Sequence, residues 1–486
     1  MPAVGTRMAG LWEREVGRLR PKRFANSVMA SQDFVQSLGI QRRLREHRGC
    51  VNTVSFNSTG SLLLSGADDK TLVLWNWEAG TPATSFHTGH ENNVLHAQFM
   101  PFSDDRSIVT AGADGEVRHM QMQEGGSVVM EKFVELEYPV HRLAVEPGSP
   151  HTFYSCGGDG SVWHFDLRGK DATKLFSCAS VHDTPEIIEL YAIAMDPRNP
   201  CYFAASGSDE YVRLYDRRKS YVNGDSPFGC PVDYFCPPHL TGRNKDGVTG
   251  LAFSQSGQML ASYSFDNIYL FEREHALNFN GFKLGSTLIM DETYRNLPVP
   301  QAFKGHQNMK TVKGVNFLGP NYDFVSSGSD CGHVFIWRKK DGLLMRVMKG
   351  DKRIVNCVEQ HPSDIIVASS GIDSSIKIWA PGASEDPSVA HFDEVDPDAY
   401  LFSSMSSSDS DGSAYMDDYI ISPSSGSGSS SDEDDGEDVD SSGDDDKSSD
   451  DEGDEEDTEE MDADRDEEDD EDDTEGMYDD GQGPDE

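Results

Sequence analysis

Histidines and aspartates recur in this 486-residue chain at spacings that catalysis or metal binding could use. His47, Ser65 and Asp69 lie in one stretch and His90 and Asp114 in the next, and further aspartates follow at Asp159, Asp209, Asp266 and Asp373. A His near a carboxylate and a hydroxyl suits general-base work, and His with acids suits a metal. Repetition argues against both. In five stretches the Asp stands six residues ahead of Trp75, Met120, Phe165, Tyr215 or Trp379; a catalytic group is needed once, whereas a scaffold group is needed in every copy. Cys230, Cys236 and His239 are a second candidate, but three ligands at that spacing make a poor zinc site, and a plain surface loop is the reading preferred. No nucleophile with its base and orienting acid, and no Gly-rich phosphate loop with its Lys, stands in a recognisable motif. The expectation is a non-enzyme with no cofactor and no metal.

The elements that hold these groups come from a repeat. Between residues 39 and 381 an apolar alternating strand, a turn, a second strand of small residues, a tight turn and a third strand recur with a period near 40 to 45 residues, the length of a four-stranded propeller blade. Seven units are legible, at 47–75, 89–120, 143–165, 193–215, 248–271, 305–337 and 355–379. Unit five is the weakest, with Phe265 and Asp266 where a Gly is expected, and unit six carries Cys331, preceded by Asp330, at the Asp position. The units resemble WD repeats. That resemblance implies an all-β, seven-bladed WD-repeat β-propeller in which His47, Ser65, Asp69 and Trp75, or His90 and Asp114, form a buried polar network. Asp209 is expected to tie its own turn. Unit seven lacks a downstream strand before Pro381, so residues 40–46 are expected to supply its outer strand and close the ring by pairing the two ends of the body.

Composition divides the chain into a basic N-terminal arm (1–38), the propeller (39–382) and a tail (383–486). The net charge is −45, and the residues after Gly382 hold 44 acidic against 2 basic side chains. The body is therefore near neutral, and the Ser/Asp/Glu-rich tail, with little apolar surface to bury, is expected to be disordered. Ser429, Ser430 and Ser431 each have an acid three residues on, a pattern that acidophilic kinases favour. Such a tail serves as a solubiliser, as a contact for basic proteins such as histones, or as a cover over basic loops. In the arm, Leu11, Trp12, Val16 and Leu19 would share one face of a short helix that Pro21 should end. The arm either lies against the body or carries a nuclear-import signal around Arg18 to Arg23.

Cysteine usage without paired spacing points to reduced thiols in the nucleus and cytoplasm, and no run of about 18 apolar residues suggests a membrane span. Nucleic acid is disfavoured by the near-neutral body and acidic tail. A local basic face from Arg213, Arg217, Arg218, Lys219, Arg243 and Lys245 stays open. Insertions at 220–246 and 274–300 lengthen the connections around unit five, where recognition usually lives.

Units three and four end alike. Phe165-Asp166-Leu167-Arg168 and Tyr215-Asp216-Arg217-Arg218 each place an Arg two residues past an Asp at a strand end, where its planar fork can bond carboxylates or carbonyls of another protein. This ending resembles the aromatic-Asp-x-Arg/Lys box of WD-repeat substrate receptors of cullin-4 RING ubiquitin ligases. Cys50 to Val54, Trp75-Asn76-Trp77, Leu260 to Phe271, Lys304-Gly305-His306, Ser327 to Trp337 and Ile378 to Pro381 resemble the type-8 branch of the cullin-4-associated factors, across nearly all of residues 40–382. The resemblance implies a substrate receptor in which Asp166, Arg168, Asp216 and Arg218 bind the damage-specific DNA-binding adaptor, and through it cullin-4. Another surface then holds an unidentified protein target near a ubiquitin-loaded conjugating enzyme, so that proximity supplies the rate gain. The long acidic tail departs from that branch. The alternative is a non-ligase WD-repeat scaffold that binds histones or other chromatin proteins with help from the tail.

Overall fold

Runs of five or six residues that alternate apolar and small side chains form strands whose two faces both need cover, and packing sheet against sheet supplies it. The computed structural model describes residues 11–181, 186–219, 229–243, 247–277 and 298–383. The acidic tail with its serines, Lys245, and much of both insertions lie outside the described residues. The strands form seven antiparallel four-stranded sheets. Blade one is Val51–Phe56, Leu63–Ala67, Thr71–Asn76 and Thr81–His87. Blade three is Val140–Val145, Thr152–Gly157, Ser161–Asp166 and Asp171–Ser177, and blade four is Leu190–Met195, Tyr202–Gly207, Val212–Asp216 and Asp233–Phe235.

The core lies between the blades. Seven apolar clusters occur among the described residues, one at each junction of neighbouring sheets. Trp75, Trp337 and Trp379 are fully buried within them. A side chain of that size removes some 150–250 Å² from water, worth on the order of 4 kcal/mol each.

Blade seven unites both ends of the body. Its inner three strands are Val355–Gln360, Val367–Gly371 and Ser375–Pro381, and its outer strand is Leu38–Arg45. Leu38 pairs with Pro381 and Arg45 with Ser375, so the expected closure is present. The Arg346 guanidinium donates to the Leu38 carbonyl at 2.9 Å and ties this strand to blade six.

A bulge recurs near the start of the innermost strand in every blade except blade six. It re-aims one residue toward a neighbouring blade. Asn52 thus donates to the Val94 carbonyl at 3.0 Å, and the Asn356 side chain accepts from Thr311 at 2.7 Å.

The N-terminal arm differs from expectation. Residues 11–15 are helical, but the turn ends at Gly17, whose φ of 73° is left-handed, and Pro21 instead opens the next helix, Pro21–Met29. Its fixed φ and missing N–H suit a first helical position. Leu11, Trp12 and Val16 are exposed, whereas Val35, in the short helix Gln32–Gln36, packs into the junction of blades six and seven. No described helix is long and apolar enough to cross a membrane.

Candidate functional site

Because antiparallel strands alternate in direction, the turns after second strands and the links between blades share one face of the ring, while third strands end on the other. The first face carries the His and Asp positions. In blade one the His47 ring reaches Asp69 through Nδ1 at 3.0 Å and Ser65 through Nε2 at 2.7 Å, and the Trp75 indole donates to Ser65 at 2.8 Å. Burial lowers the His47 pKa against the pull of Asp69. Burial alone would raise Asp69, but bonds from Thr71 and the Arg48 amide hold it below the usual carboxylate range. His90 repeats the link to Asp114 at 3.0 Å, with Thr110 at 2.9 Å in the Ser position.

Other blades fill the same place differently. In blade three the hydroxyl of Ser161 bonds Asp159 and accepts from the Trp163 indole. In blade four Asp209 takes both Nη groups of Arg213, at 2.8 and 2.5 Å, and both side chains are almost wholly buried. Asp209 therefore does more than tie its turn, and Arg213 is removed from the basic face expected on sequence. In blade six Asp330 pairs with buried Lys313, and burial lowers the Lys313 pKa. His306 stands edge-on to Trp337, and among the described residues neither of its nitrogens has a hydrogen-bond partner. Burial pushes it down to about 3. In blade seven Asp351, at the place of the usual His, pairs with buried Lys377.

These groups are committed to one another. His90, Asp114 and Glu116 come close enough to ligate an ion, but His90 is spent on Asp114 and Thr110, and Glu116 on Arg118 and Lys132. The candidate loop set of Cys230, Cys236 and His239, disfavoured on sequence, is not drawn together: His239 pairs with Asp266 at 2.8 Å, Cys236 is buried and Cys230 exposed. All eight cysteines are free thiols.

The opposite face carries the two Asp-x-Arg endings. Arg168 donates through Nε at 3.0 Å and Nη2 at 2.6 Å to Asp166, and Arg218 does the same to Asp216 at 2.9 and 2.7 Å. The arginine side chains remain 66% and 60% exposed. Hydrogen bonds from Arg168 hold Asp166 at about 2, and those from Arg218 lower Asp216. Each Asp thus occupies the Nε and Nη2 edge of its fork, and Arg218 Nη2 also donates to the Tyr202 hydroxyl at 3.4 Å, so that Nη1 is the donor each guanidinium presents outside its Asp pair.

Neighbours that sequence reasoning missed set these forks. Arg217 crosses to blade three and donates to Glu146 at 2.6 Å. The guanidiniums of Arg218 and Arg273 lie over the Tyr202 ring, 5.7 and 5.5 Å from its centre. No spacing signal marks them, since Glu146 and Arg273 come from other blades.

The ring of seven sheets is an all-β, seven-bladed β-propeller, and its His-Ser-Asp-Trp link is similar to that of WD repeats, whose proteins are typically non-catalytic scaffolds. Residues 39–76, 235–268, 298–338 and 342–380 match the WD domain, G-beta repeat family. The first segment joins the outer strand of blade seven to three strands of blade one, so the repeat is offset from the blade by one strand, the arrangement that closes the ring. Mouse (Mus musculus) DDB1- and CUL4-associated factor 6 is 31% identical over 326 residues, which cover 64% of this chain and 35% of that protein. Protein ALTERED SEED GERMINATION 2 of Arabidopsis thaliana is 31% identical over 270 residues, with 49% and 36% covered. Human WD and tetratricopeptide repeats protein 1 is 27% identical over 277 residues, with 51% and 40% covered. The chain spans little more than a third of the first two. The relationship is a distant one to a DDB1- and CUL4-associated factor of type 6, and type 8 is not singled out.

Proposed function

We propose that this chain is a substrate-recognition subunit of a cullin-4 RING ubiquitin ligase. Its docking surface for the damage-specific DNA-binding adaptor is the face bearing Asp166, Arg168, Asp216 and Arg218, and its opposite face receives the target. The observation that carries this reading is the pair of exposed guanidiniums on adjacent blades, each pinned by a bidentate bond to its own Asp. Pinning removes the rotamer entropy that a free Arg loses on binding. A relative whose name says it associates with DDB1 and CUL4 supports the same partner. The blade-five and blade-six segments that resemble the type-8 branch make that branch the finer form of the proposal, with nucleus and cytoplasm as the compartments.

Arg168→Ala with Arg218→Ala should abolish co-purification of adaptor and cullin-4, since one desolvated Arg in an interface commonly contributes about 2 kcal/mol or more. Undiminished recovery would end the receptor reading. The acidic composition of residues 383–486 favours a second reading, a chromatin-binding scaffold, which unchanged histone association after deletion of those residues would dismiss.

A further inference from the structure

One feature of the face opposite Arg168 and Arg218 has no part in the scaffold. Along the outer strand of blade seven, Leu44 is buried while Arg43 and Arg45 on either side of it are exposed, so strand alternation sends both guanidiniums to the same side. In register, Arg43 lies opposite Lys377 and Arg45 opposite Ser375. From blade six come Lys349, the last residue of its outer strand Leu344–Lys349, and Lys352 in the link to blade seven. These four cations line an open cleft of about 530 Å³ together with Asp351 and Asp373.

The two carboxylates do not cancel the cations. Both face the fully buried Lys377 ammonium; Asp351 also accepts from the Asp373 amide at 3.0 Å, and Asp373 from the Lys352 amide at 3.3 Å. The floor thus carries a formal charge of one negative against the three positive charges of Arg45, Lys349 and Lys352 on the walls, with Arg43, which has an interaction of its own, left out of the balance. Low-dielectric walls concentrate such a field, which attracts anionic groups.

We infer that this cleft binds an acidic segment of the target protein, a short run of Asp, Glu or phosphoserine. The inference rests on the receptor reading, since it assigns the target-facing surface. Arg45, Lys349 and Lys352, gathered in one cleft, match about three successive anionic side chains. A nucleic acid would instead require a basic track along many phosphates. With the cleft and the Arg pair on opposite faces, target and adaptor bind at once.

The test is fluorescence anisotropy of a labelled peptide of about twelve residues, rich in Glu and phosphoserine, titrated with the full-length chain at low salt, where surface charges are least screened. Arg45→Glu with Lys349→Glu and Lys352→Glu should weaken binding by at least about tenfold. The milder Lys349→Gln with Lys352→Gln should give a smaller loss, which guards against misfolding of the triple variant. Arg168→Ala with Arg218→Ala should leave peptide affinity unchanged, so failure at the adaptor and failure at the cleft are read separately. Equal binding by parent and charge-reversed chains would overturn the inference, as would tighter binding of a single-stranded RNA of equal charge.

Discussion

Blades one and seven solve one structural problem with opposite chemistry. Where the turn after the second strand meets the link from the previous blade, blade one uses a His that can stay neutral between Asp69 and Ser65. Blade seven uses a full ion pair, Asp351 with Lys377, both side chains at 0% exposure. Blades four and six, with Arg213–Asp209 and Lys313–Asp330, side with blade seven. A polar chain of this kind breaks with modest cost, whereas a buried pair with one member removed strands a charge out of water. The same ring therefore contains soft and brittle joints.

The largest effect belongs to the joint between chain ends. Deletion of residues 1–46 removes the outer strand of blade seven together with Val35, Leu38 and Leu44 from two apolar clusters, and the shortened chain should be insoluble or melt far lower. Unchanged melting in a thermal scan would show that blade seven does not need the strand. Next comes Lys377→Met, which should destabilise by about 3–5 kcal/mol by orphaning Asp351, with Lys377→Met plus Asp351→Leu recovering most of it. If the single variant melted like the parent, the brittle class would dissolve.

Acid should act with opposite signs on the buried histidines and the buried carboxyls. His306 is held near 3 and His141 near 4 by burial, and His96 well below its usual value, again by burial first. In the unfolded chain each titrates near 6.5. Between that value and the folded one the unfolded state binds more protons, so stability is present above about pH 6.5 and is lost as pH falls, by up to about 1.4 kcal/mol per pH unit for each group. Asp351, raised to about 6, and Glu359, raised to about 7, both by burial, act in the opposite direction. Three histidines outweigh two carboxyls, and melting should drop from pH 7 to pH 5. His306→Leu should flatten that slope, which urea titrations at several pH values can measure. The smallest change is Ser65→Ala, which leaves the Trp75 indole without its acceptor and the neutral His47 Nε2 without its donor; about 1–2 kcal/mol is expected from denaturant melts.

What the sequence made legible follows from repetition. The ring could be read because its strand and turn pattern recurs in every unit, its closing strand because unit seven is one strand short, and the His47 and His90 links because units one and two keep the WD-repeat spacing. Arg213, Lys313 and Lys377 could not, because a cation in a strand pattern reads as solvent-facing, and only tertiary placement shows each spent on an Asp. Pro21 signals a helix stop and a helix start equally well, and here it opens Pro21–Met29. At the Arg face, Asp166 and Asp216 were legible from their local motif, while Glu146, Tyr202 and Arg273 reach it only through the packing of blades three, four and five.

These brittle and soft joints hold the frame from which Arg168 and Arg218 project, and the central claim is that this frame exists to present them. Calorimetric titration of the purified chain with purified adaptor tests it most directly. The expected result is saturable binding that falls by at least about 100-fold in Arg168→Ala with Arg218→Ala, with melting unchanged because both side chains are solvent-exposed. Equal affinity in parent and variant, at equal stability, would contradict it.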